Sequence, residues 1–247
     1  MAPDADQAQG SGKQSDSRRI KNTGLWIDIG GLGNRDGKTF ISRSRRLAGQ
    51  ASMLKLQNPV LVILDMQRDF LDPGAPIEIA RGREIVPNLV QLLSSCRKLR
   101  VPVVHVITIH RRDGKDWEIL EPSRVPPHCI ENTDGSKIIS ELAPLENEFV
   151  VVKKRYSAFF NTEFDAILRR LQAKTLIIAG VTTECCVRST VFDAYFRDYH
   201  VIVPMDCTDS LTEAKKKSSL QDIVDCVGDA VPSSEVINAM GAQIGSE

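Results

Sequence analysis

Four stretches of the chain are apolar almost without interruption: "PVLVILD" (59–65), "PVVHVITI" (102–109), "TLIIAG" (175–180) and "HVIVPMD" (200–206). A strand with one wet face alternates apolar and polar residues. A strand covered on both faces does not, so these runs predict parallel strands inside a sheet. "EFVVVKK" (148–154) reads as a fifth strand, ending on two lysines. Between the strands the period becomes helical. "EIVPNLVQLLSSCRKL" places Ile85, Leu89, Leu92, Leu93 and Cys96 on one stripe. Helices are also expected at "NTEFDAILRRLQ", with Asn161 as N-cap, at "TECCVRSTVFDAYFRD", at "SLTEAKKKSSLQDIVDCV", and briefly near Lys137–Leu142. The stretch from His110 to Ser136 is loop-rich. This alternation predicts a doubly wound α/β domain over residues 56–247, a mainly parallel sheet with helices on both faces in a three-layer, Rossmann-type arrangement. Right-handed crossovers then place functional side chains at the carboxyl ends of the strands.

Residues 1–55 break this pattern and are read as an N-terminal extension. Residues 1–22 are polar and Gly/Ser-rich, so disorder is expected there. "GLWIDIGGLGNRDGKTFISRSRRL" can form a hairpin with "NRDGKT" as its turn, serving as a surface arm or oligomer contact. "GGLGNRDGKT" imitates a phosphate-binding loop, but the first required glycine falls on Leu32. The dinucleotide pattern fails at Asp36.

Composition narrows the partners. A chain of 247 residues that is 42% hydrophobic supports one substantial core. Formal net charge is zero and aromatics are only 5%, which argues against a nucleic-acid or anionic-membrane surface. No apolar run reaches membrane length. The six cysteines form neither a CxxC nor a Cys/His zinc spacing. The first residues lack an apolar signal core. A soluble, cytoplasmic protein with free thiols is expected.

The carboxyl ends of the strands carry the chemistry. The first ends at Asp65, the "EFVVVKK" strand at Lys153 and Lys154, and "TLIIAG" leads through Gly180, Val181 and Thr182 into a helix opening with Cys185 and Cys186. Singly, an aspartate there caps a helix, a lysine is solvated, and a buried cysteine packs as a small hydrophobe. Together at one sheet edge, an acid, an amine and a thiol are the parts of an activated nucleophile. In the first turn of a helix, free N–H groups and the dipole favour a thiolate and can hold an oxyanion.

Three ordered motifs, "LVILDMQRDF" (61–70), "VVKKRYSAFFNT" (151–162) and "AGVTTECCVRSTVFDAYFRDY" (179–199), resemble the isochorismatase-like cysteine hydrolases. That family includes nicotinamidases, N-carbamoylsarcosine amidase, ureidoacrylate and biuret hydrolases and isochorismatase. The resemblance implies a catalytic triad of Asp65, Lys153 and Cys186, with Lys154 a lookalike aimed at the other face and Cys185 at a variable packing position. It implies a cis peptide between Val181 and Thr182, and an oxyanion hole made by the amides of Thr182 and Cys186. Gln67, Tyr156 and Phe159 are candidates to line the substrate pocket. The nicotinamidases hold a metal with an Asp-x-His pair and a further histidine. Here Thr108 takes the aspartate's place beside His110, so neither a metal nor another cofactor is expected. The retained thiol favours hydrolysis of a C–N bond in a small amide, ureide or carbamoyl compound. Isochorismate hydrolysis and a non-catalytic binding role are the alternatives. A homo-oligomer, dimer or tetramer, is implied by the family.

Overall fold

The computed structural model describes Leu54 and residues 56–118 and 124–244. The hairpin and glycine-rich segment expected in the N-terminal extension lie outside the described residues.

Seven parallel strands form one sheet: β1 (Pro59–Leu64), β2 (Val103–Thr108), β3 (Phe149–Lys153), β4 (Thr175–Val181), β5 (His200–Pro204), the two-residue β6 (Thr208–Asp209) and β7 (Asp229–Val231). Their order is β3-β2-β1-β4-β5-β7, with β6 paired to β4. The helices are the single-turn α1 (Arg68–Leu71), α2 (Val86–Lys98), α3 (Phe164–Arg170), α4 (Arg188–Tyr195), α5 (Glu213–Cys226) and α6 (Ser233–Ile244). The strand order reverses between β1 and β4, and a doubly wound sheet opens its crevice at such a reversal.

The uninterrupted apolar runs have a simple cause. Leu61, Ile63, Val103, Ile177, Ala179 and Ile202 point to one face, where α2 and α6 supply Leu89, Leu92, Val236 and Met240. The residues between them, Val60, Val62, Leu64, Val104, Leu176, Ile178 and Val201, point to the other face. There they meet Phe164 and Leu168 of α3, Val191 of α4 and Ile223 of α5. Both faces of these central strands are covered, so their runs are apolar at nearly every position.

One glycine is required by this packing. Gly180 has φ +110°, and a Cβ there would lie 2.0 Å from the Leu64 carbonyl oxygen. No larger residue lets β4 approach β1 so closely.

Several expectations need correction. Asn161 is not an N-cap. It takes φ 52° in the preceding turn, and α3 starts at Phe164, whose N–H reaches the Thr162 hydroxyl at 3.2 Å. The helix expected near Lys137–Leu142 is one 3₁₀ turn, Ser140–Leu142. The helix after β4 begins as a π turn, Thr183–Val187, and α4 ends at Tyr195. The sequence reading did not include β7 or α6.

Candidate active site

Asp65 ends β1 in the left-handed region (φ 52°), which aspartate enters more readily than most residues. It is fully buried. Its Oδ1 accepts a hydrogen bond from the Thr108 hydroxyl at 2.9 Å, and its Oδ2 lies 2.8 Å from Lys153 Nζ.

Lys153 is buried because β3 continues its alternation: Val151 and Lys153 turn inward while Val150 and Val152 stay exposed. Its ammonium donates to Thr108 Oγ1 at 2.7 Å and to Cys186 Sγ at 3.5 Å. Burial opposes the charge on Lys153, yet Asp65 and the Cys186 sulfur outweigh burial and raise its pKa.

Cys186 is carried by the π turn after β4. The Val181–Thr182 peptide is cis. The Thr182 carbonyl accepts from both the Cys185 and Val187 N–H groups, at 3.2 and 3.1 Å. Thr183 Oγ1 meets Thr208 Oγ1 at 2.8 Å, and Thr208 donates to the Gly180 carbonyl, tying the turn to β6. Burial pushes the Cys186 thiol well up, the Asp65 carboxylate adds to this, and Lys153 opposes it.

Above the cluster is a cavity of about 150 Å³, with Lys153, Thr108 and Cys186 in its lining. Phe70, His110, His128 and Tyr156 form aromatic walls, and Arg124, Arg155 and Glu118 bring charge to it. His110 and His128 meet edge to face at 5.1 Å, with Trp117 5.4 Å from His110. The loop after β2 brings His128 here: the His110 N–H donates to the Cys129 carbonyl and the Glu131 N–H to the His110 carbonyl, both at 2.8 Å.

The structure brings Asp65, Lys153, Cys186, Thr182 and Tyr156 to this place, with Asp65 just behind the cavity wall. It does not bring Gln67 or Phe159. The Gln67 amide is consumed by backbone, donating to the carbonyls of Thr108 and Ser136 at 2.8 and 2.7 Å and accepting from the Thr108 N–H at 2.9 Å. Phe159 packs in the core, edge-on to Phe164 at 4.8 Å and under the Arg197 guanidinium at 4.6 Å. Lys154 does not turn away from the site. The strand ends at Lys153, so alternation no longer governs Lys154, which lines the cavity and pairs with Asp116 at 2.6 Å. Cys185 is half-buried and also lines the cavity, so it is not core packing. His128 was missed, because its approach depends on a loop whose path spacing does not reveal.

The residues at the place of a nicotinamidase-type metal do not fit an ion. The Thr108 hydroxyl is engaged by Asp65 and Lys153. Among the described residues, no group of three or more His, Cys, Asp or Glu side chains is placed to hold a metal. Among them, too, no helix is long and apolar enough to cross a membrane.

A doubly wound sheet with an acid, an amine and a thiol at its crevice defines a hydrolase-like architecture, and the comparisons give its family. Residues 59–235 match the isochorismatase domain, and the chain belongs to that family. It is 34% identical over 174 residues to an Arabidopsis thaliana protein described as a probable inactive nicotinamidase, covering 68% of this chain and 88% of that one. It is 28% identical over 189 residues to the N-carbamoylsarcosine amidase of an Arthrobacter species, covering 74% of this chain and 72% of that one. The solved structure of an isochorismatase family protein from Desulfovibrio vulgaris superposes with a TM-score of 0.71 at 34% identity, covering 74% of this chain and 98% of that one. The protein is thus an isochorismatase-family hydrolase by fold and sequence.

Proposed function

We propose that this protein is a cysteine hydrolase that cleaves a C–N bond of a small amide, ureide or carbamoyl compound through a thioester on Cys186. The observation that carries the reading is the convergence of Asp65, Lys153 and Cys186, with 2.8 Å between carboxylate and ammonium and 3.5 Å between ammonium and sulfur. The Cys186 proton leaves as attack begins. Asp65 Oδ2 takes it, the sulfur bonds to the substrate carbonyl carbon, and the oxyanion is held by the amides of Thr182 and Cys186. Lys153 keeps the site's charge balanced while the negative charge moves from carboxylate to sulfur to oxyanion. Protonated Asp65 gives its proton to the departing amine. Asp65 then deprotonates a water that cleaves the thioester, releasing the acid and the free thiol. No step is routed through a metal, since Thr108 is engaged within the cluster. The cavity volume of about 150 Å³ suits a substrate well below drug size.

The test is a panel of small amides, ureides and carbamoyl amino acids, read by amine or ammonia release and by mass spectrometry of the Cys186 peptide. An acyl adduct on Cys186 is the expected result. Pyruvate release from isochorismate with no adduct replaces this reading with the vinyl-ether one. The likeness to a probable inactive nicotinamidase favours a second reading, that nicotinamide is not the substrate, and nicotinamide in the panel decides it.

A further inference from the structure

Thr108 is held in place twice over by its backbone. The Gln67 side chain takes both its N–H and its carbonyl, and β2 pairs with β3 so that Thr108 lies opposite Lys153. The side-chain hydroxyl is therefore not needed to hold the strand, and yet it makes two buried hydrogen bonds, to the two charged members of the cluster. Their direction is settled by chemistry. An ammonium only donates, so Thr108 Oγ1 accepts from Lys153. The single hydroxyl proton is left to point at Asp65 Oδ1.

We propose that Thr108 is a positioning residue of the candidate triad, whose hydroxyl pins Asp65 by Oδ1 and so leaves Oδ2, 2.8 Å from the Lys153 ammonium, to accept the proton of the Cys186 thiol. A lysine is a compact charge that attracts a carboxylate without fixing its plane. Without the hydroxyl, the carboxylate can rotate to present both oxygens to Lys153, and the acceptor for the thiol proton is lost. The hydrogen bond to Oδ1 also draws negative charge away from the sulfur. This inference rests on the hydrolase reading for its effect on turnover, but not for its effect on the thiol. The titratable and charged groups around the thiol are Asp65 from β1, Lys153 from β3, Cys185 on its own turn and Cys129 from the loop after β2, with His110, Glu118, Arg124, His128, Lys154, Arg155 and Tyr156 around the cavity.

The experiment compares full-length wild type with Thr108→Val, which keeps the shape but removes the hydroxyl, and Thr108→Ser, which keeps the hydroxyl. Iodoacetamide alkylation is followed at the Cys186 peptide by mass spectrometry as a function of pH. In Thr108→Val the profile moves up by about one pH unit, so that alkylation at a fixed pH slows about tenfold. Thr108→Ser follows wild type. With any turned-over amide, kcat of Thr108→Val falls about 10–100-fold while KM stays within about twofold. Thr108→Ala replaces the valine variant if that does not fold. Superimposable alkylation profiles for wild type and a folded hydroxyl-less variant overturn the proposal, as does a serine variant that behaves like valine. A wild type that cleaves nothing in the panel defeats the hydrolase reading alone, because the alkylation profiles still decide the role of Thr108.

Discussion

Two aspartates end strands of this sheet, and both are almost completely buried: Asp65 after β1 and Asp209 in β6. Asp209 is fully satisfied. Its oxygens accept from Arg81 at 3.1 and 3.3 Å and from the Ser210 N–H at 2.8 Å, with Lys216 3.8 Å away. Arg81 reaches in from a side chain 42% exposed and continues to Glu213 at 2.6 Å. Asp65 has its cation buried with it and a thiol beside that cation. A buried acid with all its bonds made holds a fold together. On the proposed function, a buried acid that shares a buried ammonium with a thiol serves proton transfer instead.

Substitution separates the two kinds of aspartate. The largest expected effect is at the sulfur: Cys186→Ser loses about 10³-fold or more in kcat, measured by steady-state amine release, because a hydroxyl there lacks the activation a thiol needs. Asp65→Asn follows, with a loss of about 10²–10⁴-fold and a far-UV spectrum unchanged from wild type. Asp209→Asn inverts the pattern. It lowers stability by about 1–3 kcal/mol in urea titration and leaves kcat per folded molecule near wild type. If Asp209→Asn kills turnover without loss of stability, the division between the two aspartates is wrong.

Alkaline pH sharpens the contrast from another side. Burial pushes the thiols of Cys96 and Cys207 up to about 12 and raises those of Cys129 and Cys186 as well. The folded state therefore keeps protons that the unfolded chain releases above its ordinary thiol pKa of about 8.5. Stability must fall as pH rises through that value, by about 1.4 kcal/mol per pH unit for each such thiol. The raised pKa of Lys153 acts differently: its contribution is fully present below the unfolded value of about 10.4 and is lost only as pH climbs through the folded one. Urea midpoints between neutral pH and mild alkali test this, and Cys96→Ala should flatten the slope whatever it does to the absolute stability. The smallest effects belong to the neighbours. Cys185→Ser and Lys154→Ala should each change kcat by less than about tenfold, since neither touches Asp65. A dead Lys154→Ala enzyme with an active Lys153→Ala one would reverse the assignment of the two lysines.

Much of this was legible in the sequence, for identifiable reasons. Strands buried on both faces announce themselves as unbroken apolar runs, so β1, β2, β4 and β5 were plain. The strand ends offered Asp65, either Lys153 or Lys154, and either Cys185 or Cys186; the family resemblance, not position, chose Lys153 and Cys186. What was not legible depends on the path of the chain through space. β7 is three residues long, too short to leave a pattern. Gln67 reads as a polar residue beside a catalytic candidate, and only its three backbone partners show it to be a clamp. Thr108 reads as a missing metal ligand, and nothing in spacing shows that its hydroxyl lies between the two charges. Asn161 has the chemistry of a cap, but Glu163 takes the N-cap position and the helix starts two residues later than that cap would place it.

The contact at Gly180 divides the site into what can vary and what cannot. β1 and β4 touch main chain to main chain there, so the reach from the end of one strand to the start of the next turn is set by a stop that no side-chain exchange can adjust. The floor of the site behaves like a machined datum. The side chains of His110, His128 and Leu211 line the cavity without taking part in that stop. A lineage changing what it binds would rewrite those walls and leave the floor alone, and relatives with different substrates should differ most there.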